Sequence, residues 1–311
     1  MSKEGLKFYL KNPKRIYGFF ASRGLLNWMS DKAFVKMAYK NNTGKKLNLK
    51  NPQTFNEKLQ WMKVYDHNPL YTQLVDKYEV REFVENLNVK DLHLIPLLGV
   101  CEKFDDIDFD KLPERFVLKC THDSGGLCIC RDKSAFDKEK AKKKINKSLS
   151  RNFYYQGREW PYKNVKPRII AEAYMDDFEE GEEGYGQGLT DYKFFTFNGE
   201  PKMLYISRGL ENHATAKISF FDLNGEFMPF KRSDYEGFSE KPDMPKELSR
   251  MTEIARECSK KIEAPFLRVD LYVIKGRIYF SEFTFFPCGG MMPIDPPEWD
   301  NKIGSWIKLE D

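Results

Sequence analysis

Hydrophobic positions along this chain follow a helical period first and a strand period afterwards. Ser30-Asp31 offers a helix start ahead of Phe34, Met37 and Ala38, with Gly44 as the stop. Thr54-Phe55-Asn56-Glu57 has the form of a capping box and opens a helix with Phe55, Leu59 and Met62 on one stripe, ended by Asn68-Pro69. Asp76-Lys77-Tyr78-Glu79 provides a further start, followed by Val80, Phe83, Val84 and Leu87 at i, i+3, i+4 and i+7. These stripes predict core packing and carry no chemistry of their own.

From Leu92 the period shortens. Residues 94–100, 116–120 and 127–130 read as strands, and residues 137–150 as a basic cover helix with Ala141, Ile145 and Leu149 inward. Residues 168–175 read as a strand leaving a domain junction. Strands at 191–197 and 202–207 flank an Asn198-Gly199 turn, and a helix is predicted over 246–261. Residues 176–190 are acidic and contain Gly181, Gly184, Gly186 and Gly188, which predicts a mobile loop. The aromatic stretch 153–162 reads either as packing or as an acceptor-binding loop.

Two segments near the C-terminus, Arg268-Val269-Asp270-Leu271-Tyr272 and Tyr279-Phe280-Ser281-Glu282-Phe283-Thr284, alternate like strands around Lys275-Gly276-Arg277. With a three-residue loop, Ile274 pairs with Ile278 and Asp270 lies opposite Glu282. Arg268, Asp270, Glu282 and Thr284 then share one sheet face. Two adjacent carboxylates repel unless a cation lies between them, and oxygen ligands suit Mg²⁺. A two-residue loop would put the acids on opposite faces.

Two further features suggest phosphate chemistry. Lys119 shares a strand face with Val117, while Phe116, Leu118 and Cys120 point the other way. It precedes the small-residue turn Thr121-His122-Asp123-Ser124-Gly125-Gly126, whose backbone N–H groups could approach a polyphosphate. The aspartates of residues 105–110 contain the DxD spacing by which nucleotide-sugar transferases hold a metal, and they raise a glycosyltransferase as the alternative function.

Composition narrows the class. With 311 residues and 41% hydrophobic content, the chain can bury a large core, and no run of 18 apolar residues offers a membrane span. Six cysteines without a CxxC pair and four scattered histidines argue for reduced thiols and against a His-based metal centre. A cytoplasmic location is expected. The net charge of +4 is uneven, because residues 1–50 carry 12 Lys/Arg against Glu4 and Asp31. That stretch is either a solvated helical surface or a site for anionic lipid, nucleic acid or another acidic surface, with peripheral association with an anionic membrane among the alternatives.

In order, the segments FNEKLQWMKVYD, LVDKYEVREFV, FVLKCTHDSGG, GREWPYKN, PRIIAEAYM, DYKFFTFNGEPK, RVDLY and YFSEFTFFP resemble the ATP-grasp superfamily, most closely its TupA-like branch of cell-surface polysaccharide and teichuronopeptide synthesis. The resemblance implies an α+β fold in which two subdomains clamp ATP. The expected division is a helical region at 1–75, a first subdomain at 76–170 and a second at 171–311. It implies Lys77 and Lys119 on the ATP phosphates, residues Thr121, His122, Asp123, Ser124, Gly125 and Gly126 as a closing loop, and Glu172 with Ala173, Tyr174 and Met175 as the adenine-reading hinge. Asp191 is expected at the ribose, Arg268 at the transferred phosphoryl group, and Asp270 and Glu282 on magnesium. Thr284 stands where the family usually has Asn. Arg208, Lys217 and Lys231 are candidates for a further γ-phosphate contact. The implied activity is an ADP-forming carboxylate–amine ligase that works through an acyl phosphate, with ATP and Mg²⁺. Its expected partners are a carboxylate-bearing glycan or sugar precursor and an amino acid or amine, and no nucleic acid.

Overall fold

The computed structural model describes residues 16–21, 23–178, 188–209 and 216–309. The basic residues 1–15 and most of the Gly-rich stretch, including Gly181, Gly184 and Gly186, lie outside the described residues. The chain is an α+β protein built on two main sheets. Among the described residues, twelve strands run in chain order: β1 (Leu92–Leu94), β2 (Leu97–Cys101), β3 (Phe116–Cys120), β4 (Leu127–Cys130), β5 (Ile169–Ala173), β6 (Asp191–Phe197), β7 (Glu200–Arg208), β8 (Lys217–Phe221), β9 (Lys231–Arg232), β10 (Phe266–Ile274), β11 (Arg277–Thr284) and β12 (Ile294–Asp295). The large sheet has the order β1-β11-β10-β6-β7-β8 and the small one β2-β5-β3-β4, while β9 and β12 pair separately.

The helices begin and end where local chemistry directs. Ser30 caps the helix Asp31–Thr43, and Gly44 closes it with φ of 75°. Thr54 and Glu57 complete the capping box of the helix Phe55–Tyr65. The run at 94–100 is not one strand. Pro96 interrupts it, so β1 joins the large sheet beside β11 while β2 joins the small sheet beside β5. Because β5 pairs with both β2 and β3, the small-sheet unit extends through Ala173, past the expected boundary at 170.

Alternation divides the large sheet cleanly. Phe194 and Thr196 of β6 face the helix Leu248–Ile262, where Thr196 bonds Ser259 at 2.7 Å. On the other face, Phe195, Phe197 and Phe266 pack under the helix Phe55–Tyr65, with the Phe55 and Phe266 rings 5.0 Å apart. Further along that same face come Lys193, Arg268 and Asp270. One half of the face is therefore an aromatic core and the other half is charged.

The C-terminal helix Glu298–Gly304 fixes the start of the helix Phe55–Tyr65. Asp300 accepts from the Asn56 N–H at 3.0 Å, and Gly304 lies so close that a Cβ there would fall 2.3 Å from the Gln53 carbonyl and 2.6 Å from the Phe55 nitrogen. Backbone cannot yield as a flexible side chain does. Gly304→Ala is expected to cost about 1–3 kcal/mol, read as a lower urea midpoint with unchanged slope; an unchanged midpoint would mean that this contact relaxes freely.

Candidate active site

A cavity of about 410 Å³ opens between the two sheets. Its apolar walls include Ile95, Val117, Ile129, Met175 and Phe280, and its polar lining includes Lys77, Lys119, Asp123, Glu172, Asp191, Lys193 and Glu282.

The acids meet by a route other than the expected loop. The hairpin turn has two residues, Lys275 and Gly276, both at positive φ, and Ile274 pairs with Arg277. Taken alone, that turn would separate the carboxylates. A β-bulge restores the match: Leu271 pairs with Phe280 but Asp270 pairs with Glu282, leaving Ser281 as the extra residue. Asp270, Glu282, Arg268 and Thr284 thus share one face despite the shorter loop.

Their environments differ sharply. Asp270 is fully buried and accepts from Arg268 Nε at 2.7 Å, from Arg268 Nη2 at 2.6 Å and from Lys193 Nζ at 2.7 Å. Burial pushes its carboxyl above the ordinary value, against the pull of Arg268 and Lys193. Burial likewise opposes charge on Lys193, yet Asp191 and Asp270 hold its amine well above the ordinary value. Glu282 keeps 37% of its side chain exposed and lies 3.5 Å from Arg268. Burial works against its ionisation, but Lys193, Lys77, Arg268 and Lys119 outweigh this and hold the carboxyl below its usual range.

Across the cavity, Glu172 bridges Lys119 at 2.6 Å and Arg81 at 3.0 Å. Lys77 donates to the Asp123 carbonyl. Ala173, Tyr174 and Met175 line the cavity, but the Ala173 N–H is taken by the Pro96 carbonyl, and the Tyr174 ring lies beneath Arg115 and Arg131. Asp191 lines it too, while accepting from Lys193 at 2.9 Å.

The segment 121–126, expected to be a closing loop, divides into anchor and tip. Thr121 and His122 are buried and turned away from the cavity, Thr121 donating to the Lys166 carbonyl and His122 facing the Ser148 carbonyl. Gly126 is required by packing, since a Cβ there would sit 2.5 Å from Cys120 Sγ and 2.6 Å from Ser148 Oγ. Ser124 and Gly125 are exposed at the tip, and Ser124 reaches the cavity lining. Arg268, Asp270 and Thr284 lie behind the lining; Thr284 Oγ1 accepts from Arg268 at 2.9 Å.

Arg208, Lys217 and Lys231 are exposed and none lines the cavity; Arg208 bonds Thr190 at 3.0 Å. Lys193 stands there instead. Its signal was a lysine inside the otherwise apolar run Tyr192-Lys193-Phe194-Phe195. The DxD acids also lie outside the lining, with Asp105 paired to Lys142 and Asp108 to Lys111.

The donor set fits a magnesium–polyphosphate better than a bare ion. Among the described residues no group of three or more His, Cys, Asp or Glu could hold a metal. Glu282 and Asp270 offer oxygen ligands alone, and the surrounding cations would repel an ion that arrived without phosphate.

The sequence model described as TupA-like ATPgrasp matches residues 57–308. The chain belongs to the TupA-like ATP-grasp family. A comparison with curated proteins gives no match. Among solved structures, it is similar to a D-alanine–D-alanine ligase from Bacillus anthracis complexed with ATP, with 17% identity over 68% of this chain and 55% of that one and a TM-score of 0.39. It is also similar to an L-amino acid ligase from Bacillus licheniformis, with 16% identity, 73% and 47% coverage and a TM-score of 0.40. A RimK domain ATP-grasp protein from Sphaerobacter thermophilus gives 10%, 76%, 69% and 0.39 respectively. The TupA-like chain thus spans about half the length of the first two structures.

Asp270 and Glu282 pair in register, but their surroundings separate them. Asp270→Asn leaves two buried cations undercompensated and is expected to cost about 3–5 kcal/mol. Glu282→Gln is expected to cost less than about 1 kcal/mol. Urea unfolding of both variants checks this, and equal costs would contradict it.

Proposed function

We propose that this protein is an ATP-dependent carboxylate–amine ligase. The observation that carries the reading is Glu282 at the cavity wall, held ionised by Lys77, Lys119, Lys193 and Arg268, with buried Asp270 beside it in register. Those cations suit a triphosphate, and the apolar walls at Ile95, Val117, Ile129 and Phe280 suit a purine base. Glu282, at the cavity wall with Asp270 and Thr284 behind it, is the residue placed to hold Mg²⁺, which would supply charge neutralisation on the phosphates.

A carboxylate does not expel oxide, so an amine cannot displace it directly. In the proposed reaction, the acceptor carboxylate oxygen attacks the γ-phosphorus of ATP. The bond from that phosphorus to the bridging oxygen breaks, giving an acyl phosphate and ADP. An amine then attacks the acyl carbon, phosphate leaves, and the amide nitrogen loses its proton. Lys77, Lys119, Lys193 and Arg268 stabilise the charge that develops on the transferred group. The tip at Ser124 and Gly125 is placed to cover it and exclude water. The reaction needs no side-chain nucleophile.

Family membership supports a bacterial cell-surface polysaccharide of capsule, O-antigen or teichuronopeptide type, or its precursor, as the carboxylate, and an amino acid or amine as the other substrate. A cytoplasmic site of action accords with that reading. Among the described residues no helix is long and apolar enough to cross a membrane.

Hydroxylamine with candidate uronic acids should yield hydroxamate and ADP; release of AMP would rule out the acyl phosphate route. Glu282→Gln should lower turnover by about 10²–10³-fold with the fold retained, whereas Arg208→Ala should leave turnover unchanged. Full activity in Glu282→Gln would remove the site assignment.

A further inference from the structure

Residues 16–50 present a basic surface that nothing in the cleft uses. All seven Lys/Arg side chains in this span are exposed. Its single acid, Asp31, is occupied internally, accepting a hydrogen bond from the Tyr154 hydroxyl and lying 3.7 Å from Arg158 Nε. On the helix Asp31–Thr43, Lys32, Lys36 and Lys40 recur every fourth residue and form one outward row, away from buried Phe34, Val35, Ala38 and Tyr39.

Immediately before that row, the turn at 23–29 carries two large apolar side chains outward. Trp28 is 82% exposed and Leu25 54%. Their exposure is imposed by the fold. Arg158, itself 1% exposed, donates to the Leu26 carbonyl at 2.8 Å and the Met29 carbonyl at 3.2 Å, and it stacks over Phe34. The Trp28 indole nitrogen bonds the Leu25 carbonyl at 3.1 Å, which fixes the ring on the turn. A buried arginine thus holds the backbone from within while indole and leucine face out beside a lysine row.

We infer that this face docks on an anionic lipid surface. An indole suits the headgroup level of a membrane, where its ring is half in apolar surroundings and its N–H remains satisfied. The exposed lysines that follow this turn in the chain supply the cations that lipid phosphates attract. Leu25 favours lipid over a nucleic acid, because an aliphatic side chain offers no ring on which a base can stack. The inference does not depend on the ligase reading.

The test uses the full chain and vesicles of phosphatidylcholine with or without phosphatidylglycerol, with brominated acyl chains as the depth probe. Co-sedimentation is expected with the anionic vesicles only, weakening as salt rises. Bromolipid quenching of tryptophan fluorescence is expected in the wild type and reduced in Trp28→Phe. Lys32→Glu/Lys36→Glu/Lys40→Glu and Leu25→Ser/Trp28→Ser should each lower vesicle binding about tenfold or more, with ATP turnover and circular dichroism unchanged. Binding to neutral vesicles at equal strength, no binding to anionic ones, or quenching indifferent to Trp28→Phe would overturn the proposal. So would a lipid-free oligomer that Leu25→Ser/Trp28→Ser dissolves, or tighter binding to an oligonucleotide than to vesicles.

Discussion

The charged half of the large sheet depends on the ion pairing of Asp270. This carboxylate, on the central strand β10, accepts two bonds from Arg268 on its own strand and one from Lys193 on β6. Buried charges are expensive, and only complete pairing makes the cluster tolerable. Here pairing is complete because antiparallel register places Lys193 directly across from Asp270, while Arg268 lies two residues back on the same face. The cluster has a further consequence. Cations fixed by buried acids need little reorganisation when negative charge develops before them, which is the physical basis of electrostatic catalysis.

That sheet is tied to the N-terminal helical region through a few buried polar groups. Lys63, on the helix Phe55–Tyr65, donates to the Gly157 carbonyl at 2.8 Å and the Gly289 carbonyl at 2.6 Å. Gly289 follows β11 by five residues, so the segment after the Glu282 strand is clamped to the segment at 157. Burial lowers the Lys63 amine below its ordinary value in spite of nearby Glu159, so this clasp costs charge solvation to maintain. The next residue in that segment, Arg158, holds the turn that displays Trp28. The aromatic stretch 153–162 is therefore mainly a connector: Tyr154 packs beside Arg158, and Phe153 packs on Tyr162.

Much of this was legible in the residues. Helix starts at Ser30 and Thr54 and the Asn198-Gly199 turn are local signals, and the local geometry follows them. The family's motif order gave the fold. What remained hidden depends on pairing between distant strands. The hairpin loop is one residue shorter than the reading that joined the two acids, and a bulge at Ser281, invisible to periodicity, compensates for it. Lys193 is matched to Asp270 only by the β6–β10 register, which local sequence does not reveal, whereas the cations on β7 to β9 are exposed. Pro96 sits inside an apolar run, yet it marks the point where the chain passes from one sheet to the other. Thr121 and His122 look like loop residues by composition, but the backbone turns them into the body of the small-sheet unit.

The difference between Asp270 and Glu282 also constrains how the cleft can fill. Both oxygens of Asp270 are occupied by cations, whereas Glu282 faces the cavity with more than a third of its side chain accessible. A divalent ion entering alone would meet Glu282 together with Lys77, Lys119, Lys193 and Arg268, whose like charges oppose it in a partly buried site. A metal that arrives already bound to a polyphosphate reverses that balance, because the phosphates satisfy the lysines while the metal meets the carboxylate. On the proposed reading, metal and nucleotide bind together, with Glu282 meeting the metal while Asp270 keeps the cations in place.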